Sequence, residues 1–512
     1  MKIILLLLLV SLSFISPEVM SQDSEPYFCT KALDDMPIQQ SGRIKPLYVH
    51  ANESIKYLMG KKKIKSYGAV EIFCLLSVQS LSLKNSLNFK ARIDHIKLRE
   101  YLGLNDQNKT MLFSTLLEKK DELIIELRKA KEHSSYYKSL NEILNRVALY
   151  EDIINGNNWT LPSFESGGTT WQPLNKYLTE EKLTSMPAGT TISTIFTSIR
   201  EKFKKQSHSE FYLELRMVKM RLPVIALLLT ILALAAVVLS TNLKYTLIFS
   251  VLTVLTQITY ITFRVLISGR APITNMYETV LFSGLAALII SLIVGHLKKE
   301  KQYITVGLIY NFLTLMMILF SGSMLSSSIS PLVPVLRDNF WLSTHVTSII
   351  MSYGALALSW VLANMILIKA ATKGVSKKEL KSASDQIYAC IICGIILLAN
   401  GIILGGVWAD YSWGRFWGWD PKETWSLIVL CIYMAILHGK YTSWIPHKRF
   451  IPLVACAFLS VMMAWFGVNY ILASGLHSYG FSEGGALFLG VFFLTQIALV
   501  IITTPKLLKE VV

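Results

Sequence analysis

The sequence predicts an all-α, polytopic membrane protein with about nine transmembrane helices, preceded by a mainly helical N-terminal segment. Of its 512 residues, 52% are hydrophobic and only 16% are charged, whereas soluble domains carry about 25% charged residues. The composition changes abruptly at residue 222, after which long apolar runs alternate with polar loops. These observations exclude a soluble enzyme. The formal net charge of +16 is spread over both halves of the chain, so neither half is basic enough to indicate nucleic-acid binding.

Nine apolar segments are each long enough, or nearly so, to cross a hydrocarbon core of about 30 Å at about 1.5 Å per residue. Because lipid offers no partners for backbone polar groups, all nine should be helices. We place them near residues 222–240, 245–267, 277–296, 303–321, 343–368, 386–407, 424–439, 450–473 and 485–504. They form a transmembrane domain over residues 222–504, and residues 505–512 follow as a cytoplasmic tail.

Residues 1–21 are typical of a secretory signal peptide. Lys2 precedes an apolar run that starts at Ile3 and ends near Pro17, and this run is too short to span a bilayer stably. A retained N-terminal anchor is the alternative, and it would leave the next segment on the same side. Both interpretations predict that residues 22–219 form an extracytoplasmic segment.

The loop charges indicate the same orientation independently. With residue 219 outside, most positive charges fall in loops on the cytoplasmic side, as the positive-inside rule requires. The inner charges are Lys244, Lys298, Lys299, Lys301, Lys369, Lys373, Lys377, Lys378, Lys381, Lys440, Lys448, Arg449, Lys506 and Lys509. The outer loops carry only Arg270, Arg337, Arg415 and Lys422. We therefore expect a multi-pass protein of a bacterial cytoplasmic membrane.

The cysteines are too few and too scattered for a disulfide scaffold. Of the six, only Cys29 and Cys74 lie in the extracytoplasmic segment, so at most one exported disulfide is possible. Cys390 and Cys393 have the spacing of a thiol-exchange motif, but they lie in an apolar helix without a charge that would stabilise a thiolate. We interpret them as small core residues.

The most unusual stretch is a tryptophan-rich segment over residues 408–425, which we place in an outer loop. It holds five of the eleven tryptophans of the chain: Trp408, Trp413, Trp417, Trp419 and Trp425. An interfacial aromatic belt is the simpler interpretation, but belts place only a few tryptophans at each helix end. A dense run interleaved with glycines instead favours a flat apolar platform for a large planar ligand.

The end of this segment also has a structural explanation. Asp420 at the cap, Pro421 at the first helical position and Glu423 at the third form a start signal for the seventh helix. Asp420 is therefore predicted to be a helix cap, a functional group, or both.

Two histidines are expected at the same outer level as the tryptophan-rich segment. His345 begins the fifth span, and His477 lies between the eighth and ninth. Taken singly, each is more commonly an interfacial hydrogen-bonding residue. Together with the platform they fit a haem site, because haem is a wide apolar disc whose iron accepts axial histidines. The four outer-loop cations could bind its two propionates, although a solvated loop charge is the simpler interpretation for each.

A third histidine is expected deeper in the membrane. His438 lies 13 residues beyond Trp425 on the same helix, which is about 20 Å further along its axis. An ionisable group inside a bilayer is a functional hypothesis by default. The alternative, which we weigh equally, is a histidine that is hydrogen-bonded to a neighbouring span.

The sequence WGRFWGWDPKETW at residues 413–425 resembles the cytochrome c synthases of the CcsA/ResC type, within the haem-handling superfamily named for this tryptophan-rich loop. Supporting motifs lie at residues 272–278, 341–345, 437–438 and 469–480. The segment GRIKPL at residues 42–47 resembles, more weakly, the extracytoplasmic stretch that precedes this domain in some family members.

The resemblance implies haem binding for cytochrome c biogenesis. In the family, the two outer histidines, here His345 and His477, ligate the iron of a b-type haem that is bound non-covalently and then transferred. An intramembrane histidine, here His438, belongs to a deeper haem site. The residues that would hold the haem from the tryptophan-rich loop are Trp413, Trp417, Trp419, Asp420 and Trp425.

The resemblance also implies a reaction and partners. The chain would act as a subunit of a haem lyase, which attaches haem through thioethers to the Cys-x-x-Cys-His segment of apocytochrome c. Fused family members supply the second histidine of the deeper site from a ResB/CcsB-type half, so we expect a separate ResB/CcsB-type membrane partner here, together with a thioredoxin-like thiol reductant. The alternatives are a CcmC-like module that hands haem to a chaperone, and a transporter with an aromatic anchor loop.

Overall fold

The computed structural model describes residues 29–509, apart from gaps at 41, 65, 82–88, 106, 133, 165–168, 179–191, 207–208, 240–242, 323, 332–337 and 473–484. The predicted signal peptide, residues 1–21, lies outside the described residues. Within them the protein is mostly helical, with a mixed N-terminal domain, residues 29–205, followed by a bundle of long apolar helices. The predicted fold class is confirmed.

The N-terminal domain combines helices with short antiparallel hairpins. Its helices are Leu47–Met59, Ala69–Ser77, Ile96–Tyr101, Phe113–Glu118, Lys120–Lys129, Ser135–Ile154, Leu174–Tyr177 and Ile192–Lys205. Its strands pair as Pro37–Gln40 with Arg43–Pro46, Lys63–Ile64 with Tyr67–Gly68, Lys90–Arg92 with Thr110–Leu112, and Thr160–Ser163 with Thr170–Pro173. These hairpins are not evident from the sequence, because strands of two to four residues are too short to show an alternating pattern.

This domain has a hydrophobic core of its own. The buried Trp159 ring lies between Phe73, at 5.9 Å, and Phe196, at 5.2 Å. Cys29 and Cys74 form a disulfide beside this core, with their Cα atoms 5.5 Å apart. The one disulfide that the sequence allows in this segment is therefore formed, and it ties the start of the domain to the helix Ala69–Ser77.

Nine helices in the described part of the chain are long and apolar enough to cross a membrane, as predicted. We number them from the first to the ninth span. Their bounds are Ser209–Leu239, Leu243–Ser268, Met276–Lys298, Lys301–Phe320, Asn339–Thr372, Lys377–Trp413, Pro421–Tyr441, His447–Leu472 and Gly485–Lys509.

Two spans begin or end well outside their apolar runs. The first span starts at Ser209 rather than near residue 222, and it is interrupted at Arg221, whose φ is 49°. Its first turns are amphipathic and bury Phe211 and Met217. The sixth span is longer than its apolar run at both ends, because a Ser376 capping box starts it and Gly414, with φ 67°, ends it.

The N-terminal domain lies against one end of the bundle, which we call the domain face. The first span begins there, and since consecutive spans alternate in direction, the second, fourth and sixth spans end at the same face. The Lys56 ammonium donates to the Gly322 carbonyl at 3.1 Å, across this boundary.

The fifth and eighth spans form the centre of the bundle. In an apolar 18-residue stretch of each of these spans, 78% is buried inside the protein, whereas the corresponding share in the ninth span is 17%. The fifth and sixth spans approach closely because Gly394 and Gly401 have no side chain; a Cβ at either would lie 2.6 Å from Leu356 or Ile349. The domain-face end of this close pair forms part of the candidate site.

Candidate functional site

An open pocket lies at the domain face, bounded by the third, fifth, sixth, seventh and eighth spans. The unfilled space at the pocket, about 1110 Å³, includes open solvent. Most of its wall is apolar, with side chains such as Ile273, Ile349 and Ile402, and only a few polar groups reach it. This combination is typical of sites that bind a largely apolar ligand in a fixed orientation.

His345 lies on the pocket wall in an irregular turn of the fifth span. Residues Leu342–Val346 are π-helical, a local widening that is often found at functional sites because it changes which way a side chain faces. Nδ1 of His345 lies 2.7 Å from the Gly401 carbonyl oxygen of the sixth span. Since a carbonyl only accepts hydrogen bonds, Nδ1 is the donor in this contact, and in a neutral imidazole the lone pair is then on Nε2. Histidines that bind metals are commonly oriented in this way.

The sixth span makes room for this imidazole. A Cβ at Gly405 would lie 2.5 Å from Cε1 of His345, so any larger residue would displace the ring. At the next position, a Cβ on Gly406 would meet the Phe416 ring at 2.6 Å. The buried Trp408 ring lies 5.9 Å from the His345 ring on the same side of the pocket.

The tryptophan-rich segment is only partly a loop. The sixth span includes Trp408 and Trp413, and the seventh begins at Pro421, which leaves residues 414–420 as the connection. The loop is therefore shorter than predicted, because it comprises residues 414–420 rather than 408–425.

The five tryptophans have different surroundings. Trp408 and Trp417 line the pocket. Trp419 is 70% exposed and lies edge-on to Trp417, with ring centroids 5.9 Å apart. Trp413 lies beneath the Arg415 guanidinium, at 5.9 Å, and Trp425 packs against the core of the bundle. The structure thus brings two of the five rings to the pocket wall.

Asp420 caps the seventh span, as predicted. Its Oδ1 accepts the Lys422 backbone N–H at 2.9 Å, while Oε2 of Glu423 accepts the backbone N–H groups of Gly418, at 2.8 Å, and Asp420, at 3.2 Å. The Arg415 guanidinium lies 3.7 Å from the other oxygen of Glu423. The cap holds Lys422 and Glu423 on the pocket wall.

Of the other two predicted histidines, the structure describes only His438, which lies away from the pocket. His438 lies near the end of the seventh span opposite the domain face, and its side chain is exposed. Its Nδ1 lies 2.8 Å from the Met434 carbonyl of the same helix, so its hydrogen bond is not to a neighbouring span. His477 lies outside the described residues.

The eighth span also contributes to the pocket, which the sequence did not predict. Residues Met463–Leu472 form a second π-helical segment beside the pocket. Trp465 in this segment lines the pocket and donates its indole N–H to the Thr279 hydroxyl at 3.2 Å. Nothing in the apolar run distinguishes Trp465 from an ordinary core residue. Thr279 does have a sequence signal, because it directly follows the 272–278 motif.

Comparisons with known proteins match the part of the chain that carries this pocket. The family model described as Cytochrome C assembly protein matches residues 273–477. The CcsA cytochrome c biogenesis protein of Guillardia theta is 33% identical over 239 residues, which are 42% of this chain and 78% of the relative. The CcsA protein of Prochlorococcus marinus subsp. pastoris is 31% identical over 253 residues, 43% of this chain and 78% of the relative.

A further relative matches the same region of a much longer protein. Protein NrfI of Wolinella succinogenes is 34% identical over 223 residues, which are 42% of this chain but only 24% of the relative. The match covers 78% of the length of each of the two CcsA proteins, which is more than two thirds. The chain therefore belongs to the cytochrome c assembly protein family.

Proposed function

We propose that this family member binds haem in the domain-face pocket, with His345 as an axial iron ligand, and supports covalent attachment of the haem to apocytochrome c. The observation that carries the proposal is the His345 imidazole on the pocket wall, held through Nδ1 by the Gly401 carbonyl. A fixed imidazole whose lone pair is on Nε2 is the donor that haem iron requires.

The pocket fits such a ligand in its chemistry. Its wall is mainly apolar and carries the indole rings of Trp408, Trp417 and Trp465. A porphyrin is a wide apolar disc, so burying its faces against such a wall is favourable.

We assign the second axial ligand to His477, which follows five residues after the eighth span ends at Leu472 at the domain face. Two histidine ligands would also protect the iron until the acceptor protein arrives.

The reaction that we propose is the addition of two thiols to two vinyl groups. In each addition a sulfur–carbon bond forms at one vinyl carbon, and the thiol hydrogen goes to the other, so no oxidant is needed. The histidine of the acceptor Cys-x-x-Cys-His segment would replace one axial ligand. Holding the haem in place makes both additions nearly intramolecular, which lowers the barrier by up to several kcal/mol. The chain would thus act as a haem lyase subunit.

The thiols must be reduced before they add, so a thioredoxin-like reductant is a proposed partner. His438 supports a second proposed partner. Its side chain is exposed on the seventh span, away from the pocket, where a ResB/CcsB-type membrane protein could supply the other ligand of a deeper haem site. Haem transferred from there would reach a pocket on the extracytoplasmic side of a bacterial cytoplasmic membrane.

The test is maturation of a reporter c-type cytochrome in a host that lacks its own maturation system, with the ResB/CcsB-type partner supplied. We expect His345→Ala and His477→Ala each to reduce holocytochrome at least tenfold. His296→Ala, which removes an exposed histidine at the far end of the third span, is the matched control and should not change the yield. Undiminished holocytochrome from His345→Ala would defeat the ligand assignment.

Spectra of the purified protein with its partner separate haem binding from attachment. A Soret band that is present in the wild type and lost in His345→Ala supports the site. A Soret band without any thioether formed in the reconstituted complex would instead support delivery of haem to a chaperone.

A further inference from the structure

Lys422 is the one cation on the pocket wall among the residues that the structure describes. It follows the Asp420–Pro421 start of the seventh span, and the cap fixes its backbone through the 2.9 Å bond from its N–H to Asp420. Its side chain is therefore presented from the rigid first turn of a helix. An ammonium in a mainly apolar pocket attracts an anionic group more strongly than the same ammonium in water.

The other two described cations of the predicted outer loops, Arg415 and Arg270, lie outside the pocket. Arg415 lies over the Trp413 ring and close to Glu423, and its side chain occupies the space beside Gly418, where a Cβ would lie 1.2 Å from Nη1. Arg270 donates to the Ser330 carbonyl at 2.5 Å, in the loops outside the pocket. Neither side chain lines the pocket. Arg337 lies outside the described residues.

The acidic groups near Lys422 accept hydrogen bonds from backbone N–H groups at the start of the seventh span. Both oxygens of Glu423 are used, one by the backbone N–H groups of Gly418 and Asp420 and the other by Arg415. Asp420 accepts a backbone N–H with Oδ1 and its side chain is buried. These carboxylates reduce the positive potential at Lys422, and their hydrogen bonds hold the start of the seventh span.

We propose that the Lys422 ammonium binds a carboxylate of the pocket ligand and so fixes which edge of a planar tetrapyrrole faces the start of the seventh span. This inference rests on the proposed haem site and adds the residue that orients the ligand. The two propionates of haem lie on one edge of the disc and the vinyl groups lie away from that edge. Anchoring the propionate edge at Lys422 therefore directs the vinyl-bearing part away from the seventh span, where acceptor thiols must reach it.

The test compares haem with haem dimethyl ester, in which both carboxylates are neutral. The two compounds are titrated into the detergent-purified protein with its membrane partner, and binding is followed by the Soret band. The wild type should bind the free acid at least about tenfold more tightly, as expected for a charge-assisted hydrogen bond. Lys422→Met should bind both compounds equally, and Lys422→Arg should keep most of the preference. Arg270→Met, a cation change outside the pocket, should leave the preference intact.

The possible failures are distinguishable. If the wild type binds neither compound, the proposed haem site itself is wrong. A wild type that binds both equally, or a Lys422→Met variant that keeps the preference for the free acid, leaves the haem site in place and overturns the role of Lys422. Loss of the preference in Arg270→Met would assign the carboxylate contact to Arg270 instead.

Discussion

Glu214 accepts hydrogen bonds from both terminal guanidinium nitrogens of Arg43, at 2.7 and 2.9 Å, although the two residues are 171 positions apart. Arg43 belongs to the first hairpin of the N-terminal domain, within the GRIKPL segment, and Glu214 lies in the first turns of the first span. The Lys219–Asp34 pair, at 2.7 Å, connects the same two parts. The domain is thus docked on the bundle by charge pairs.

Glu214→Gln should weaken this docking. It replaces a bidentate pair with a single neutral acceptor for Arg43, and hydrogen bonds to charged groups contribute about 1.5–3 kcal/mol. We expect a lower unfolding temperature and faster protease cleavage between the domain and the first span. Asp94→Asn is the control, because it breaks the Arg92–Asp94 pair, whose side chains are 69% and 68% exposed and which should contribute little. Equal effects of the two changes would rule out a special role for Glu214.

His50 should make the stability of the N-terminal domain depend on pH. Burial, and then the positive charge of Lys45, lower the pKa of His50 to about 3, against the opposing effect of its bond to Asn158. The unfolded chain binds a proton below pH 6.5 that the folded domain excludes, so the free energy of unfolding falls as pH decreases from about 6.5 towards 3. The loss at pH 5 should be about 2 kcal/mol.

Thermal unfolding of the wild type and of His50→Gln at pH 7.5 and pH 5 measures this effect. The variant keeps a side chain that can donate towards Asn158, 2.7 Å from Nε2 in the wild type, but it does not titrate. The wild type should lose more stability than the variant on acidification. Identical losses would show that His50 is not the group responsible.

The membrane spans and the cap of the seventh span could be predicted from the sequence because both depend on local information. Lipid requires a long apolar run for each helix, and Asp420 with Glu423 forms its capping box within four residues. The π-helical turn at His345 is different. Its contact with Gly401 joins two spans 56 residues apart, and only the packed bundle shows that this histidine faces the pocket.

Arg264 lies within the second apolar run, and nothing in the sequence indicates its partner. Its pairing with Glu278 depends on how the second and third spans meet around the loop between them. The differing roles of the five tryptophans were equally hidden, because composition identifies an aromatic segment but not which ring faces the pocket and which packs on the core.

Gly405→Ala tests the close approach of the sixth span to His345. The added methyl group would lie 2.5 Å from the imidazole, so the ring must move and its bond to Gly401 must lengthen. We expect at least a tenfold loss of holocytochrome in the reporter assay, with a normal amount of protein in the membrane. Gly490→Ala in the ninth span is the matched control, since a Cβ there meets nothing within 4 Å. If Gly405→Ala retained full activity, the position of His345 would not be critical.

Reporter fusions test the proposed orientation. A fusion after Lys381, at the start of the sixth span, should be cytoplasmic, and a fusion after Ser482, between the eighth and ninth spans, should be extracytoplasmic. The expectation rests on the excess of lysine and arginine in the loops opposite the domain face. Alkaline phosphatase activity at Ser482 alone is the expected result, and activity at both positions would overturn the topology.

The buried pair of Arg264 and Glu278 should be essential for the domain-face end of the second and third spans. Arg264 is 1% exposed, and it donates to Glu278 from Nε at 3.0 Å and to the Ser327 carbonyl from Nη1 at 2.9 Å. The other Glu278 oxygen accepts the backbone N–H and the hydroxyl of Thr274, which lines the pocket.

Glu278→Leu leaves a buried guanidinium without its counter-charge, which costs about 3–5 kcal/mol. The double change Arg264→Met with Glu278→Leu removes both charges and should recover most of the unfolding temperature, because apolar residues of similar volume can replace a buried ion pair. Haem binding should recover less than stability, since Thr274 still lacks its carboxylate acceptor. If Glu278→Leu were as stable as the wild type in thermal unfolding in detergent, the pair would not hold this end of the bundle.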